Sequence, residues 1–285
     1  MRHEIPGVLY RVAPVGPAIP LVLDSPHSGT HYPDDFRPAA PFSLVRKAED
    51  SHIDDIFGVA PELGATLIAA HFPRAYLAPN RALTDIDPDL LAEPWPEPIS
   101  PGEKTRGGIG LIWRLAAPGV PMYDRKLTVA ETKARIERYW RPYHAEIETA
   151  IEQAYDAHGA VWHINCHSMK SVSDGRGKQK GRRRADFVLG DRDGTTCDRA
   201  FTEFVAERLR AKGYGVAIND PYKGVELVRV HGRPNERRHS LQIEINRGLY
   251  MDEDTWERSA NYGRLRFDVS ELLREVAEWV RAQVD

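Results

Sequence analysis

Alternation of two periodicities constrains this chain most. Short apolar runs at residues 19–23, 65–70, 160–164, 186–189, 215–218 and 240–245 read as strands. Between them lie segments with apolar residues at helical spacing: 53–62, 128–158, 198–211 and 256–280. Ile53, Ile56, Phe57 and Ala60 share one face of the first segment. A Thr128/Glu131 capping box opens the second, Gly159 stops it, and Pro142 predicts a bend beside Tyr143 and His144. Strands alternating with helices specify an α/β fold: a three-layer α/β/α arrangement around a mixed, mostly parallel sheet. A chain of 285 residues can bury such a core as one domain spanning 1–285.

Residues 84–121 break the alternation. Pro88, Pro94, Pro96, Pro98, Pro101 and several glycines make this a long irregular excursion, yet Leu111, Ile112 and Trp113 give it apolar weight. Excursions of this length inside a compact fold are usually functional or disordered, and the aromatic content here favours functional.

Charge and composition exclude some classes of function. A formal net charge of −3 gives no electrostatic reason to expect nucleic acid or a membrane surface as partner. The apolar runs are too short to span a bilayer, and the N-terminal residues lack the apolar core of a secretory signal. Two cysteines, Cys166 and Cys197, argue against a disulfide scaffold and suit a reducing, cytoplasmic compartment. Cys166 reads as a small buried packing residue. The expected partner is a small molecule, and the oligomeric state stays open.

In open α/β sheets, ligands gather beyond the carboxyl ends of parallel strands. Two runs lead into histidine-bearing turns there: Asp24-Ser25-Pro26-His27-Ser28-Gly29 and Asn165-Cys166-His167-Ser168-Met169. His27 and His167 are therefore candidate ligands for zinc, which in hydrolases takes three protein ligands and keeps a position for water. The acidic segment Glu49-Asp50-Ser51-His52-Ile53-Asp54-Asp55 offers a third ligand, with Asp50 and Asp54 one helical turn apart. The same acids equally suit a helix N-terminus.

Glu244 lies between Ile243 and Ile245 in an apolar strand. A carboxylate there either pairs with a cation such as Arg247 or transfers protons beside a metal. Asn80-Arg81, with Arg74, is equipped to grip a carboxylate, or else forms a surface turn. Asn219-Asp220-Pro221-Tyr222-Lys223-Gly224 has turn chemistry throughout, and its Asn219, Tyr222 and Lys223 are candidates to reach the same rim. The basic run 176–184 lacks interleaved aromatics and reads as a solvated loop beside the site, placed to cover it and attract anions. His3, His31, His71, His158 and His231 read as ordinary surface or satisfied histidines.

Taken in order, these segments resemble the N-formylglutamate amidohydrolase family over nearly the whole chain. The resemblance is carried by Asp24-Ser-Pro-His-Ser-Gly-Thr30, Phe72-Pro-Arg74, Pro79-Asn-Arg-Ala82, Gly110-Leu-Ile-Trp113, Asn165-Cys-His-Ser-Met169, Asn219-Asp-Pro-Tyr-Lys-Gly224 and Gln242-Ile-Glu-Ile-Asn-Arg-Gly-Leu-Tyr250. It implies a fold similar to the zinc carboxypeptidases (phosphorylase/hydrolase-like) and zinc-dependent hydrolysis of N-formyl-L-glutamate to formate and glutamate. That reaction is the last step of one route of histidine breakdown.

Carried over, His27 and His167 match the metal-binding histidines, and Glu244 matches the carboxypeptidase-like catalytic glutamate. Asn80-Arg81 matches the pair that holds a substrate carboxylate, with Arg74 as a second cation and Tyr222 or Lys223 for the other carboxylate. Two positions depart from the pattern. Thr30 stands where zinc carboxypeptidases carry their carboxylate ligand, so the implied set is His27, Asp50 and His167. Ala78 stands where relatives commonly carry Asp. Two rival expectations are the same chemistry on another N-acyl amino acid or short peptide, and a non-catalytic module whose zinc is fully ligated by protein.

Overall fold

A computed structural model of the protein describes residues 1–173 and 181–284. The strands of its main sheet are β1 (Arg2–Ile5), β2 (Leu9–Val12), β3 (Leu21–Ser25) and β4 (Thr66–Ala70). A separate hairpin, β5 (Leu115–Ala117) and β6 (Val120–Pro121), follows, and the main sheet then resumes with β7 (Val161–Met169), β8 (Phe187–Gly190), β9 (Val216–Ile218) and β10 (Arg238–Asn246). The eight strands of the sheet lie in the order β1-β2-β4-β3-β7-β10-β8-β9. The central four, β4-β3-β7-β10, are mutually parallel. On the flanks, β2 runs antiparallel to β4, β1 to β2, and β8 to β10.

The helices are α1 (Phe42–Arg46), α2 (Ile53–Ile56), α3 (Glu103–Arg106), α4 (Val129–Arg135), α5 (Arg141–His158), α6 (Arg199–Ala211), α7 (Glu226–His231) and α8 (Tyr262–Ala282). Two apolar cores flank the sheet. Leu21, Leu23, Ile164, Leu241, Ile243 and Ile245 pack against α2, α6 and α8 on one face. Val22, Ile68 and Val161 meet α5, α7 and the excursion's Leu111 and Ile112 on the other. The expected mixed sheet with helices on both faces is therefore what the chain forms.

Its details differ from the sequence reading in several places. First, β7 does not stop at 164 but runs nine residues, through the segment expected to be a turn, so His167 is a strand residue. His163, Asn165 and His167 alternate with Ile164 and Cys166, and each of the three finds a hydrogen-bond partner, so burial does not oppose continued pairing there. Second, 53–62 is not one helix: α2 spans four residues, and a 3-10 turn (Ala60–Leu63) follows. Gly58 and Pro61 interrupt the helical register. Third, 128–158 keeps its capping box and its Gly159 stop, but a π-helical stretch (Ile136–Trp140) separates α4 from α5. Pro142 has no N–H to donate, and the wider turn before it absorbs the missing bond. Fourth, the last helix begins at Tyr262 rather than 256, and the β1–β2 hairpin had no counterpart in the sequence reading.

The 84–121 excursion is ordered. Leu111 N–H donates to Asp85 O, and Ala78 N–H to Leu111 O, which ties the excursion to the segment that follows β4. Among the described residues no helix is long and apolar enough to cross a membrane.

Candidate active site

Strand alternation builds the site. In β7 the residues Ile164 and Cys166 face the α2/α6/α8 core, so Asn165 and His167 point to the opposite face. In β10, Ile243 and Ile245 do the same and leave Gln242 and Glu244 on that opposite face. The parallel register pairs Gln242 with Asn165 and Glu244 with His167. His27 arrives just past β3, in a segment ending at Gly29. A Cβ on Gly29 would sit 2.4 Å from the His71 and Phe72 backbone, so only glycine lets the turn pack this closely.

Three acceptor atoms converge. His27 Nδ1 and His167 Nδ1 are 3.1 Å apart, and Asp50 Oδ2 lies 3.0 Å from His167 Nδ1 and 3.3 Å from His27 Nδ1. All three residues are buried, and they form the one candidate metal cluster among the described residues. A tetrahedral zinc with bonds of about 2.0–2.1 Å holds its donors about 3.3 Å apart, and two imidazoles with one carboxylate is a hydrolytic zinc donor set. The residues fit the metal.

The local backbone explains why Asp50 is the acid that arrives. Its N–H donates to His27 O, which fixes the segment against the first histidine. Its Oδ1 accepts from Arg247 Nη2 at 2.8 Å and Ser168 Oγ at 3.1 Å, leaving Oδ2 toward the imidazoles. The rival acids are occupied elsewhere: Glu49 with Arg46, Ser51 and Tyr32, and Asp54 with the Tyr10 hydroxyl. Thr30 is exposed. Arg247, a candidate partner of Glu244, instead serves Asp50.

Charge states follow from these contacts. Burial, reinforced by the charge of Arg74, pushes the His27 imidazole well below its usual range and favours its neutral form. Burial alone would raise the Asp50 carboxyl, but hydrogen bonds from both histidines and the charges of Arg74 and Arg247 hold it well below the usual carboxylate range. Glu244 goes the other way. Burial first, then the Asp50 charge, raises it above an ordinary glutamate against the opposing pull of His167, Arg74 and Lys104. Its Oε1 accepts from Gln242 Nε2 at 2.9 Å. Two nearby carboxylates with oppositely shifted acidities are the mark of divided roles.

His27, His167 and Glu244 line a cavity of about 830 Å³, with Asp50 fully buried beside the two histidines, within the size range of small-molecule sites. Its walls are cationic. Arg74 Nη1 stands 3.8 Å from Asp50 Oδ1 with its guanidinium 5.5 Å from the Trp113 ring. Arg81 is 7% exposed, lines the cavity, and makes no side-chain hydrogen bond or ion pair among the described residues. Burial and the neighbouring Arg74 charge push it down to about 10. Lys104, from α3 in the excursion, reaches the same cavity with its ammonium 5.6 Å from the Tyr222 ring and without an ion pair among the described residues.

The sequence candidates divide here. His27, Asp50, His167, Glu244, Arg74, Asn80, Arg81 and Tyr222 come together. Asn80 is a wall residue, with Oδ1 accepting Leu227 N–H at 2.9 Å and Nδ2 3.2 Å from Asn165 Oδ1. Asn219 and Lys223 do not join the cavity lining. The Asn219 amide closes onto Asp191, and the Lys223 ammonium pairs with Asp193 at 2.7 Å. The sequence reading missed Lys104, Gln242 and the service of Arg247 to Asp50. Lys104 carried only the general signal of a long apolar-weighted excursion. Of the basic run, 176–180 lies outside the described residues, while Arg184 lines the cavity 5.3 Å from the Tyr222 ring. Cys166 is on the other face of the sheet, its thiol pushed up by burial. A fully protein-ligated structural zinc does not match a three-donor cluster facing an open cavity.

The sequence profile for N-formylglutamate amidohydrolase matches residues 19–251. N-formylglutamate deformylase of Pseudomonas aeruginosa is 30% identical over 279 residues, covering 92% of this chain and 94% of that one. The Pseudomonas putida protein of the same name is 28% identical over 251 residues, covering 82% and 83%. Among solved structures, N-formylglutamate amidohydrolase from Ralstonia eutropha JMP134 is 53% identical with a TM-score of 0.94, over 98% of this chain and 100% of that one.

Proposed function

The chain belongs to the N-formylglutamate amidohydrolase family, and from that premise we propose that it is a zinc-dependent enzyme hydrolysing N-formyl-L-glutamate to formate and glutamate. The observation that carries the reading is one cavity that brings together a His/Asp/His cluster, a buried glutamate and two cations, Arg81 and Lys104, that have no ion pair among the described residues. A dicarboxylate with a formamide at its amine end complements all three.

His27, Asp50 and His167 would hold the metal. When bound, zinc supplies a Lewis acid and a water acidic enough to attack near neutral pH. Glu244, ionised, takes a proton from the attacking water as its oxygen bonds to the formyl carbon. The Arg74 guanidinium stabilises the carbonyl oxygen as it gains charge. Glu244 then hands the proton to the departing nitrogen as the C–N bond breaks, releasing formate and the free amine. Its raised pKa suits both halves of that transfer. Arg81, beside Asn80, holds one substrate carboxylate, and Lys104 with Tyr222 faces the other. By the family resemblance, the reaction belongs to histidine breakdown.

The test is formate release from a panel of N-formyl and longer N-acyl amino acids, with the metal content of the purified protein measured in parallel. Bound zinc with N-formylglutamate as preferred substrate supports the reading. Faster turnover of N-acyl substrates lacking a second carboxylate overturns the substrate assignment, and hydrolysis unchanged in Glu244→Gln overturns the assigned base.

A further inference from the structure

Beneath the site lies a second polar group that the mechanism does not use. The Asp24 carboxylate, fully buried, accepts three hydrogen bonds: from Tyr143 Oη at 2.8 Å, His163 Nε2 at 2.8 Å and Asn165 Nδ2 at 2.7 Å. His163 Nδ1 is in turn 2.7 Å from Ser240 Oγ. Ser240, His163 and Asp24 thus share the order of a serine-hydrolase triad. Ser240 is fully buried, however, and no substrate reaches it. The network acts on something else.

A carboxylate can only accept hydrogen bonds. Asn165 must therefore turn its NH2 toward Asp24, which sends its carbonyl oxygen to His167 Nε2, 2.7 Å away. That oxygen also only accepts, so the proton of His167 belongs on Nε2. Nδ1, the atom facing Asp50 and His27, then keeps its lone pair. A second amide pulls the other way. Asn80 Nδ2 lies 3.0 Å from the same His167 Nε2 and can only donate, which favours an unprotonated Nε2 and a proton on Nδ1. Asn80 cannot flip without losing Leu227 N–H from its oxygen. The Asp50 carboxylate, with Oδ2 3.0 Å from Nδ1, also only accepts and pulls the proton the same way. The Asn165 oxygen at Nε2 opposes both pulls, and its orientation holds the proton there.

We propose that Asp24 is a positioning residue that sets the tautomer of His167 through the Asn165 amide, so that Nδ1 is free to bind a divalent cation. This rests on His27, Asp50 and His167 being the metal site. Outer groups that orient a metal-binding histidine typically change metal affinity 10–100-fold when removed. Burial would raise the Asp24 carboxyl, but the hydrogen bonds from His163 and Asn165 hold it below its ordinary value, which keeps it an obligate acceptor.

Two measurements on the full chain test the relay. Nitrogen NMR of the zinc-free protein reports the His167 tautomer directly: the share of rings with the proton on Nε2 should fall in Asp24→Asn, and a share unchanged by that variant overturns the proposal. Zinc affinity by chelator competition supplies the second readout. In Asp24→Asn the new amide can present either end to Asn165, and affinity should fall about 10–100-fold. Adding Asn165→Asp puts an obligate acceptor against His167 and a donor behind it, so the double variant should return to within about threefold of wild type. A merely structural Asp24 predicts no such rescue. Unchanged affinity in Asp24→Asn, or a double variant no tighter than the single, sinks the relay. Wild-type protein that binds no zinc refutes the metal site instead, while the tautomer measurement still decides the relay.

Discussion

The two faces of β7 and β10 have different jobs although they are built from the same backbone. On one face Ile164, Cys166, Ile243 and Ile245 pack into the apolar core beside α6 and α8. On the other, Asn165, His167, Gln242 and Glu244 each have a named hydrogen-bond partner and border the cavity or the Asp24 network. Dry packing contributes by area and tolerates exchange of one apolar residue for another. A buried polar face has no such tolerance, because each group stranded without a partner costs the full desolvation penalty. Stability and chemistry should therefore separate by residue parity.

The strongest way to break that comparison is His167→Ala. It should abolish stoichiometric zinc and lower formate release by at least the ~10²–10⁴-fold that losing a general base costs. Zinc retained at wild-type affinity would place the metal elsewhere. Next, Glu244→Gln should lower kcat by about 10²–10⁴-fold with zinc still bound. Because Glu244 must be ionised to accept a proton and its pKa is raised, kcat/KM should climb with pH through a value above that of an ordinary glutamate, and fall below it. On the dry face, Ile243→Ala should cost about 2–5 kcal/mol of stability, read as a lower Tm. Its zinc affinity and kcat should match wild type, and a tenfold loss of either would show that the faces are coupled.

Smaller effects concern the cavity wall. Arg81→Met removes a hydrogen-bonded charge contact worth about 1.5–3 kcal/mol, hence a KM rise of roughly 10–100-fold with little change in kcat. The smallest effect is a pH limb. Burial and the charges of Arg81 and Arg74 push the Lys104 ammonium down to about 8. It loses its charge above that pH, so KM should rise there. Lys104→Arg should flatten that limb, and a limb unchanged in the variant would remove Lys104 from substrate binding.

Parts of this were legible in advance. The strand and helix alternation is a local pattern, and so are the capping box at Thr128 and the stop at Gly159. The histidines stood out because they sit in turns that leave apolar strands, and Glu244 because a carboxylate inside an apolar strand needs a reason. The length of β7 was not legible, because whether Asn165 and His167 continue a strand depends on Gln242 and Glu244 lying opposite, far along the chain. The break after α2 was underweighted, since Gly58 and Pro61 compete with a good apolar stripe.

What the sequence determined by itself was the inventory: an α/β sheet, imidazoles near strand ends, a carboxylate within β10, and arginines close behind β4. Only the tertiary structure chose among the acids. Glu49, Asp50 and Asp54 are near neighbours in the chain, yet Asp50 alone reaches His27 and His167, while Arg46 and Tyr10 take the other two. It also sent Arg247 to Asp50 rather than Glu244, brought Lys104 in from the excursion, and turned Lys223 toward Asp193. The physical reason is reach. Backbone periodicity is written in the nearest few residues, whereas the partner of a charged side chain is whichever distant group folding carries within about 3 Å.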